Sequence, residues 1–141
     1  MSTRHRAPLK IGIGGLGAIG LTLARRLDEG IEGLMLTAVS ARDKDAARQR
    51  LSDLRQRVPV VTLPELAKDC DVVVECAPAA VFSQVAEPVV RLGKVLIPVS
   101  VGGLLANWYL VEMAKATGAR INVPSGAVLG LDAVRDRKSV V

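Results

Sequence analysis

Aromatic residues are almost absent from this sequence, which has one Trp, one Tyr and one Phe among 141 residues, although half of its residues are hydrophobic. The core must therefore be built from Val, Leu, Ile and Ala, a composition typical of parallel strands that helices cover on both faces. No apolar run is long enough to cross a bilayer, and the N-terminal residues lack the apolar stretch of a secretory signal. We therefore expect a cytoplasmic protein that does not associate with a membrane.

Cysteine and histidine are scarce as well. The two cysteines, Cys70 and Cys76, are too few and too poorly spaced for a zinc site or a disulfide framework, so no metal is expected. The net charge of +5 comes largely from basic residues near the two ends, with no aromatic residues among them, which argues against binding of nucleic acid. A chain of this length accommodates one domain with a full core and is too short for two.

Glycine, in contrast, is abundant, and it clusters directly after the first apolar run. Two overlapping GxGxxG patterns are present, one on Gly12, Gly14 and Gly17 and one on Gly15, Gly17 and Gly20. The second pattern fits the context better, because the apolar residues through Gly14 then form a buried first strand. In that frame Gly15 makes the tight turn, Gly17 lets the backbone approach a pyrophosphate, and Gly20 lets helix and strand pack closely.

The segment after the glycines predicts an amphipathic helix that begins at about Gly17, because Ile19, Leu23 and Leu27 recur at helical spacing. The free N–H groups and the positive end of the helix dipole then face the glycine turn and form an anion site from backbone alone. The residues predicted to bind the cofactor here are Gly15, Gly17, Ala18, Ile19 and Gly20.

The rest of the chain alternates between strand and helix patterns, as expected for a doubly wound parallel α/β sheet of the Rossmann type. We predict six strands in the order 3-2-1-4-5-6, within a dinucleotide-binding domain at 8–134 flanked by flexible tails at 1–7 and 135–141. Pro88 is expected to kink or restart its helix. The predicted strands are 9–14, 34–40, 59–62, 71–76, 94–100 and 120–123, and the predicted helices after the first are 43–57, 63–68, 79–92 and 104–117.

The end of the second strand bears on the choice of cofactor. NAD sites usually place an acidic residue about 20 positions beyond the glycines, where it binds the ribose hydroxyls. Here that position is Ser40, followed by Arg42, and these two side chains suit a 2′-phosphate. The sequence therefore predicts a preference for NADP(H), or acceptance of both NADP(H) and NAD(H). The alternative is that Asp43 reaches the ribose or that Arg42 only stacks on adenine.

Three later segments, at 71–78, 98–104 and 122–133, each include the end of a predicted strand, namely the fourth, fifth and sixth. Their residues are expected to meet at the nicotinamide end of the crevice. Small residues there leave room for the nicotinamide ribose, and Ser125, Gly126 and Ala127 offer hydrogen-bond donors to a carboxamide or a carboxylate. A strand cap is an equally good interpretation of Ser100. The predicted cofactor-binding residues in these segments are Cys76, Ala77, Pro78, Ser100, Ser125, Gly126 and Ala127.

In their order and spacing these segments, D-V-V-V-E-C-A-P at 71–78, P-V-S-V-G-G-L at 98–104 and N-V-P-S-G-A-V-L-G-L-D-A at 122–133, resemble the L-aspartate dehydrogenase family. Homoserine dehydrogenases and dihydrodipicolinate reductases are similar at the glycine loop but less so at these segments. The resemblance implies an oxidoreductase that moves a hydride from the Cα of L-aspartate to a nicotinamide and forms iminoaspartate, which hydrolyses to oxaloacetate or feeds NAD biosynthesis.

The chain departs from that family in one respect. Members of the family continue into a substrate domain that carries a catalytic histidine, whereas the single histidine here is His5, ahead of the first strand. Glu75 and Asp132 are better explained as structural residues, so no catalytic residue is expected in this chain. We expect the chain to be a truncated, catalytically incomplete form that exposes apolar surface and therefore forms a homodimer or aggregates.

Two other classes of function remain open at this stage. One is a regulatory module that senses nucleotides without catalysis, although such modules usually keep an acidic residue at the second strand. The other is a non-catalytic interaction protein that uses an exposed surface. Binding of a nicotinamide dinucleotide is expected for the dehydrogenase and for the sensing module, but not for the interaction protein.

Overall fold

The strand and helix patterns fold into a parallel sheet with helices on both faces, in a computed structural model that describes residues 6–124. The strands are β1 (Leu9–Gly14), β2 (Leu34–Ser40), β3 (Val72–Glu75), β4 (Val95–Pro98) and β5 (Arg120–Ile121). The helices are α1 (Ala18–Glu29), α2 (Lys44–Arg50), α3 (Leu63–Asp69), α4 (Phe82–Arg91), α5 (Val101–Ala106) and α6 (Tyr109–Thr117), with a 3₁₀ turn at Ala79–Val81.

The strand order is β2-β1-β3-β4-β5, and every neighbouring pair is parallel. The predicted third strand at 59–62 forms only one parallel bridge, between Val60 and Val39, because Thr62 already caps the next helix. If the Val60 bridge is counted as a strand beside β2, the order becomes the predicted 3-2-1-4-5-6. The doubly wound fold is thus confirmed, with five regular strands in the described part of the chain instead of six.

Side chains alternate between the two faces of the sheet, and each face has its own core. On β3, Val73 packs into the cluster beneath α3, α4 and α6, whereas Val72 and Val74 pack into the cluster beneath α1 and α2. On β1 the same alternation places Gly12 and Gly14 under α3 and α4, where a Cβ would lie 2.7 Å from the sulfur of Cys70 or 2.6 Å from Val85. These two glycines therefore serve packing.

Three helices differ from their predicted lengths. The predicted helix at 43–57 ends at Arg50, and further along the segment the N–H groups of Arg55 and Gln56 donate to the carboxylate of Asp28, which holds those two residues outside a helix. The 79–92 segment begins with the 3₁₀ turn, and α4 then runs through Pro88, so the break precedes Phe82.

The predicted helix at 104–117 is two helices separated at Asn107. Its side-chain amide donates to the carbonyl of Gly103 at 2.8 Å, and its own N–H donates to the same carbonyl at 3.1 Å. An asparagine that bonds locally in this way competes with the helical pattern of the backbone. None of the helices between residues 6 and 124 has the length and apolar character needed to cross a membrane.

The carboxyl ends of four strands form one row. Ser40 is in register with Gly14, Gly14 with Glu75, and Glu75 with Pro98. All four loops that follow therefore leave the same edge of the sheet, which is where doubly wound sheets bind ligands. This row positions every predicted site residue that the structure describes.

Candidate dinucleotide-binding site

A cavity of about 960 Å³ opens at this edge, between the glycine loop, the end of β2 and the start of α4. Its volume lies within the range typical of small-molecule sites. The lining residues are Gly15, Leu16, Gly17, Ser40, Ala41, Arg42, Asp43, Lys44, Ala46, Ala47, Arg50, Val61, Thr62, Leu63, Cys76, Ala77, Pro78, Val81, Gln84 and Val85.

The glycine loop follows the geometry of the second GxGxxG pattern. Gly15 has φ of 103°, and a Cβ there would lie 2.8 Å from the backbone of Ala77. Its N–H donates to the carbonyl of Ser40 at 2.8 Å, which ties the turn to β2. Gly17 differs, because nothing lies within 4 Å of the place where its Cβ would stand. The backbone is thus open to a ligand at Gly17 and closed at Gly15.

The first turn of α1 completes an anion site. Gly17 is the N-cap of this helix, and the N–H groups of Ala18, Ile19 and Gly20 have no acceptor within the helix. A Cβ on Gly20 would overlap the carbonyl oxygen of Gly15, so glycine lets α1 lie directly on the loop. The chain therefore has the open backbone and the positive helix end that a pyrophosphate requires.

Three cationic side chains border the cavity on the β2 side, namely Arg42, Lys44 and Arg50. The guanidinium of Arg50 donates to the carbonyl of Leu16 at 2.8 Å and so brings its positive charge to the glycine loop. Asp43 also lines the cavity, but one of its carboxylate oxygens caps α2 by accepting from the N–H of Ala46. The balance of charge on this side favours an anionic ligand.

Lys44 and Arg50 are functional candidates that sequence reasoning missed. Lys44 is the first residue of α2, two positions beyond Arg42. Arg50 follows Asp43 by seven residues, or about two helical turns, and so returns to the same face of the helix. That spacing was the signal available in the sequence.

On the β3 side the cavity is lined by Cys76, Ala77 and Pro78, three of the residues that the sequence predicts to bind the cofactor. Burial raises the pKa of the Cys76 thiol to about 11, and the charge of Glu75 adds to the shift. The thiol is therefore protonated and uncharged at neutral pH.

Glu75 is fully buried, yet its carboxylate accepts four hydrogen bonds. One donor is the hydroxyl of Ser100, at 3.0 Å, and this hydroxyl also lies 3.2 Å from the carbonyl of Ala77. The hydroxyl of Ser100 is thus engaged within the protein, and Ser100 does not line the cavity.

The structure brings most of the predicted residues together at one edge. Ala18, Ile19 and Gly20 offer their backbone at the helix end without lining the cavity. Three other predicted residues, Ser125, Gly126 and Ala127, lie outside the described part of the chain. The same is true of His5 and Asp132, for which no role in the site was predicted.

A parallel sheet whose glycine loop, helix N-terminus and cavity meet at its carboxyl edge defines a dinucleotide-binding domain of the doubly wound class. The family described as "Homoserine dehydrogenase, NAD binding domain" matches residues 15–124, and the chain belongs to that family. The predicted nicotinamide cofactor is therefore confirmed at the level of the family.

The curated relatives confirm the resemblance to L-aspartate dehydrogenases. The chain is 48% identical over 126 residues to the L-aspartate dehydrogenase of Bradyrhizobium diazoefficiens, covering 89% of this chain and 45% of that protein. It is 47% identical over 135 residues to L-aspartate dehydrogenase 3 of Bordetella bronchiseptica, covering 95% and 49%. The chain thus spans about half the length of the curated relatives it matches.

Solved structures with low sequence identity share the fold. A probable dehydrogenase from Thermotoga maritima superposes with a TM-score of 0.71 at 19% identity, covering 90% of this chain and 39% of that one. The scyllo-inositol dehydrogenase of Lactobacillus casei with bound NAD(H) and scyllo-inositol gives a TM-score of 0.65 at 17% identity, covering 83% and 36%.

Proposed function

We propose that this chain is the cofactor-binding part of an L-aspartate dehydrogenase and that it binds NADP(H) in preference to NAD(H). The identity of 48% to a curated L-aspartate dehydrogenase carries the first half of the proposal. When bound, the nicotinamide accepts a hydride from the substrate. The residues of this chain bind the dinucleotide and hold it in place for that step.

The glycine loop and the first turn of α1 are proposed to bind the pyrophosphate through backbone N–H groups. Gly17 leaves the approach open, and the N–H groups of Ala18 to Gly20 have no acceptor within the helix. Ala77 and Pro78 line the cavity beyond Gly15 and would receive the nicotinamide ribose. The extended dinucleotide would therefore run along the row of strand ends, from β2 across β1 to β3.

The preference for NADP(H) rests on the charges beside β2. Ser40, with 5% of its surface exposed, stands where an NAD site usually has a carboxylate, so nothing at that residue repels a 2′-phosphate. Arg42 and Lys44 border the same part of the cavity. Among the salt bridges of residues 6–124, neither side chain has a carboxylate partner, and both charges are available to a phosphate.

The test is a titration of the 141-residue chain with NADPH and with NADH. Arg42→Ala should weaken NADPH about tenfold, because a charge-assisted hydrogen bond is lost, and should change NADH by less than about twofold. Arg48→Ala is the matched control, since Arg48 lies on α2, six residues beyond Arg42, pairs with Asp45 at 3.0 Å and does not line the cavity. Equal losses for both nucleotides with Arg42→Ala would remove the NADP preference.

Turnover of L-aspartate tests the other half of the proposal. Residues 6–124 contain no histidine, and the carboxylate of Glu75 is engaged in four hydrogen bonds, so we expect the chain to bind the dinucleotide and to oxidise L-aspartate little or not at all. Failure to bind either nucleotide would reject the proposed function. Rapid formation of reduced nicotinamide from L-aspartate would show that these 141 residues suffice for catalysis.

The expectations of a homodimer, of a cytoplasmic location and of no contact with nucleic acid or a membrane stay predictions.

A further inference from the structure

The carboxylate of Glu75 is placed where an apolar side chain would be expected. The residue ends β3 and is fully buried. Taking a carboxylate out of water is unfavourable, and an apolar residue of similar volume usually serves stability as well or better. A buried charge with every oxygen paired therefore points to a role that hydrophobic packing cannot fill.

Its four hydrogen bonds join the loops that follow two neighbouring strands. One oxygen accepts from the N–H groups of Val99, at 3.1 Å, and Ser100, at 2.9 Å, in the loop after β4. The other accepts from the N–H of Ala77, at 3.1 Å, in the loop after β3, and from the hydroxyl of Ser100 at 3.0 Å. Glu75 thus ties the loop after β3 to the loop after β4 and fixes their positions relative to each other.

The loop after β3 is in turn part of the cofactor site. Cys76 donates its N–H to the carbonyl of Gly14 at 2.8 Å, and the backbone of Ala77 lies against Gly15 with no room for a Cβ. Ala77 also lines the cavity. The position of Ala77 therefore defines the wall that lies beyond the pyrophosphate, on the side away from β2.

A dinucleotide that crosses the sheet edge places its two halves over different strands. With the adenosine half at β2 and the pyrophosphate at β1, the nicotinamide half reaches β3 and β4, which are next in the strand order. The two loops joined by Glu75 are those beneath that half.

We propose that Glu75 is a positioning residue for the nicotinamide half of the cofactor, acting through the backbone of Ala77 and the loop at Ser100. The inference rests on the proposed dinucleotide function. Glu75 itself does not line the cavity, and its effect should be confined to the nicotinamide half of the ligand.

Glu75→Gln is the sharpest perturbation, because it keeps the shape of the side chain. The amide oxygen can still accept from Val99 and Ser100, and the hydroxyl of Ser100 can rotate to accept from the amide nitrogen. The N–H of Ala77 then faces a second donor and loses its partner. The substitution therefore releases Ala77 and leaves the loop after β4 bound.

The experiment compares two ligands by isothermal titration calorimetry on the full 141-residue chain. NADPH contains the nicotinamide half, whereas 2′-phospho-ADP contains the adenosine half and the pyrophosphate but lacks both the second ribose and the nicotinamide. We expect Glu75→Gln to raise the Kd of NADPH about tenfold and to change the Kd of 2′-phospho-ADP by less than about twofold. A general loss of structure would weaken both ligands alike.

Two further variants complete the design. Ser100→Ala removes one donor to Glu75 and should act in the same direction with a smaller effect, about threefold on NADPH alone. Glu87→Gln is the matched control, because Glu87 bonds to Arg91 and Tyr109 and does not line the cavity. It should change neither Kd. If circular dichroism shows that the Glu75→Gln chain is unfolded, the proposal is tested with Ser100→Ala instead: a weaker affinity for NADPH alone supports it, and equal changes in the two Kd values overturn it.

The outcomes separate this inference from the proposed function. A wild-type chain that binds neither ligand would overturn the proposed function. A wild-type chain that binds both, with variants that shift the two Kd values equally or not at all, would overturn only the role of Glu75. Equal affinity of the wild-type chain for the two ligands would also overturn the role of Glu75, since the nicotinamide half would then contribute nothing to binding.

Discussion

Gly20 and Gly17 stand three residues apart at the start of α1, and the structure predicts opposite consequences for the same substitution. A Cβ on Gly20 would overlap the carbonyl oxygen of Gly15 and lie 3.3 Å from a methyl group of Ile13. A Cβ on Gly17 would stand in open space. Gly20→Ala should therefore impair folding, and Gly17→Ala should impair ligand binding.

The size of the first effect follows from two opposing terms. Alanine in place of glycine favours a helix by up to about 1 kcal/mol. The added methyl group meets a backbone carbonyl, which cannot rotate away, so α1 must move off the loop, and overpacking of this kind costs about 1–3 kcal/mol or more. We expect a net loss of about 2 kcal/mol in the free energy of unfolding, or a fall in Tm of roughly 6 to 10 °C.

Gly17→Ala is the matched variant. Gly17 is the N-cap of α1, where alanine is a poorer residue than glycine by less than about 1 kcal/mol, so the fall in Tm should be clearly smaller. The new methyl group would occupy the approach to the helix end and should raise the Kd of NADPH at least about tenfold.

Thermal unfolding followed by circular dichroism, together with NADPH titration, measures both effects. An unchanged or higher Tm for Gly20→Ala would refute the close packing of α1 on the glycine loop. Wild-type affinity for NADPH in Gly17→Ala would refute the approach of the pyrophosphate at that residue.

Two further predictions concern titratable groups. The N–H of Thr62 donates to Glu65 at 2.9 Å in a capping box and lowers the pKa of that carboxyl below 4.5. A lowered pKa stabilises the fold above the ordinary pKa of the carboxyl, and this stabilisation is lost as the pH falls through the lowered value. The urea midpoints of wild type and Glu65→Gln should therefore differ at neutral pH and converge as the pH falls through the lowered pKa of Glu65. A difference that stays constant with pH would contradict this. The pKa of the Cys76 thiol is raised to about 11, so in a Cys70→Ala background it should react with iodoacetamide roughly a hundredfold more slowly at about pH 8 than an unperturbed thiol. Its rate should rise about tenfold for each unit of pH. A rate independent of pH would contradict the raised pKa.

Much of the fold could be predicted because its signals are local. The glycines, the Val-rich strands and the helical spacing of apolar residues are read within a few positions of the chain, and β1 and β2 have the predicted bounds. Helix ends were predicted poorly where a distant group decides them. Arg55 and Gln56 are held outside a helix by Asp28, which lies in α1, and no pattern within 43–57 contains that information.

In the candidate site, too, residues in local motifs could be predicted, whereas contacts between distant segments could not. The glycine frame, Ser40 and Arg42 were predicted from motif spacing, and the small residues at 76–78 were predicted from their place after a strand. The hydrogen bonds of Glu75 could not be, because their donors at Val99 and Ser100 lie 24 and 25 residues away along the chain. The same holds for Arg50, whose partner Leu16 is 34 residues away.

The sequence by itself determined that this chain has a doubly wound sheet with a glycine loop suited to a dinucleotide, since each of those features depends on residues that are neighbours in the chain. Only the tertiary structure decided which charges surround that loop and which carboxylate holds its neighbouring loops. The physical reason is the parallel sheet: its strand ends come into one row, so residues from four separate segments meet at a single edge.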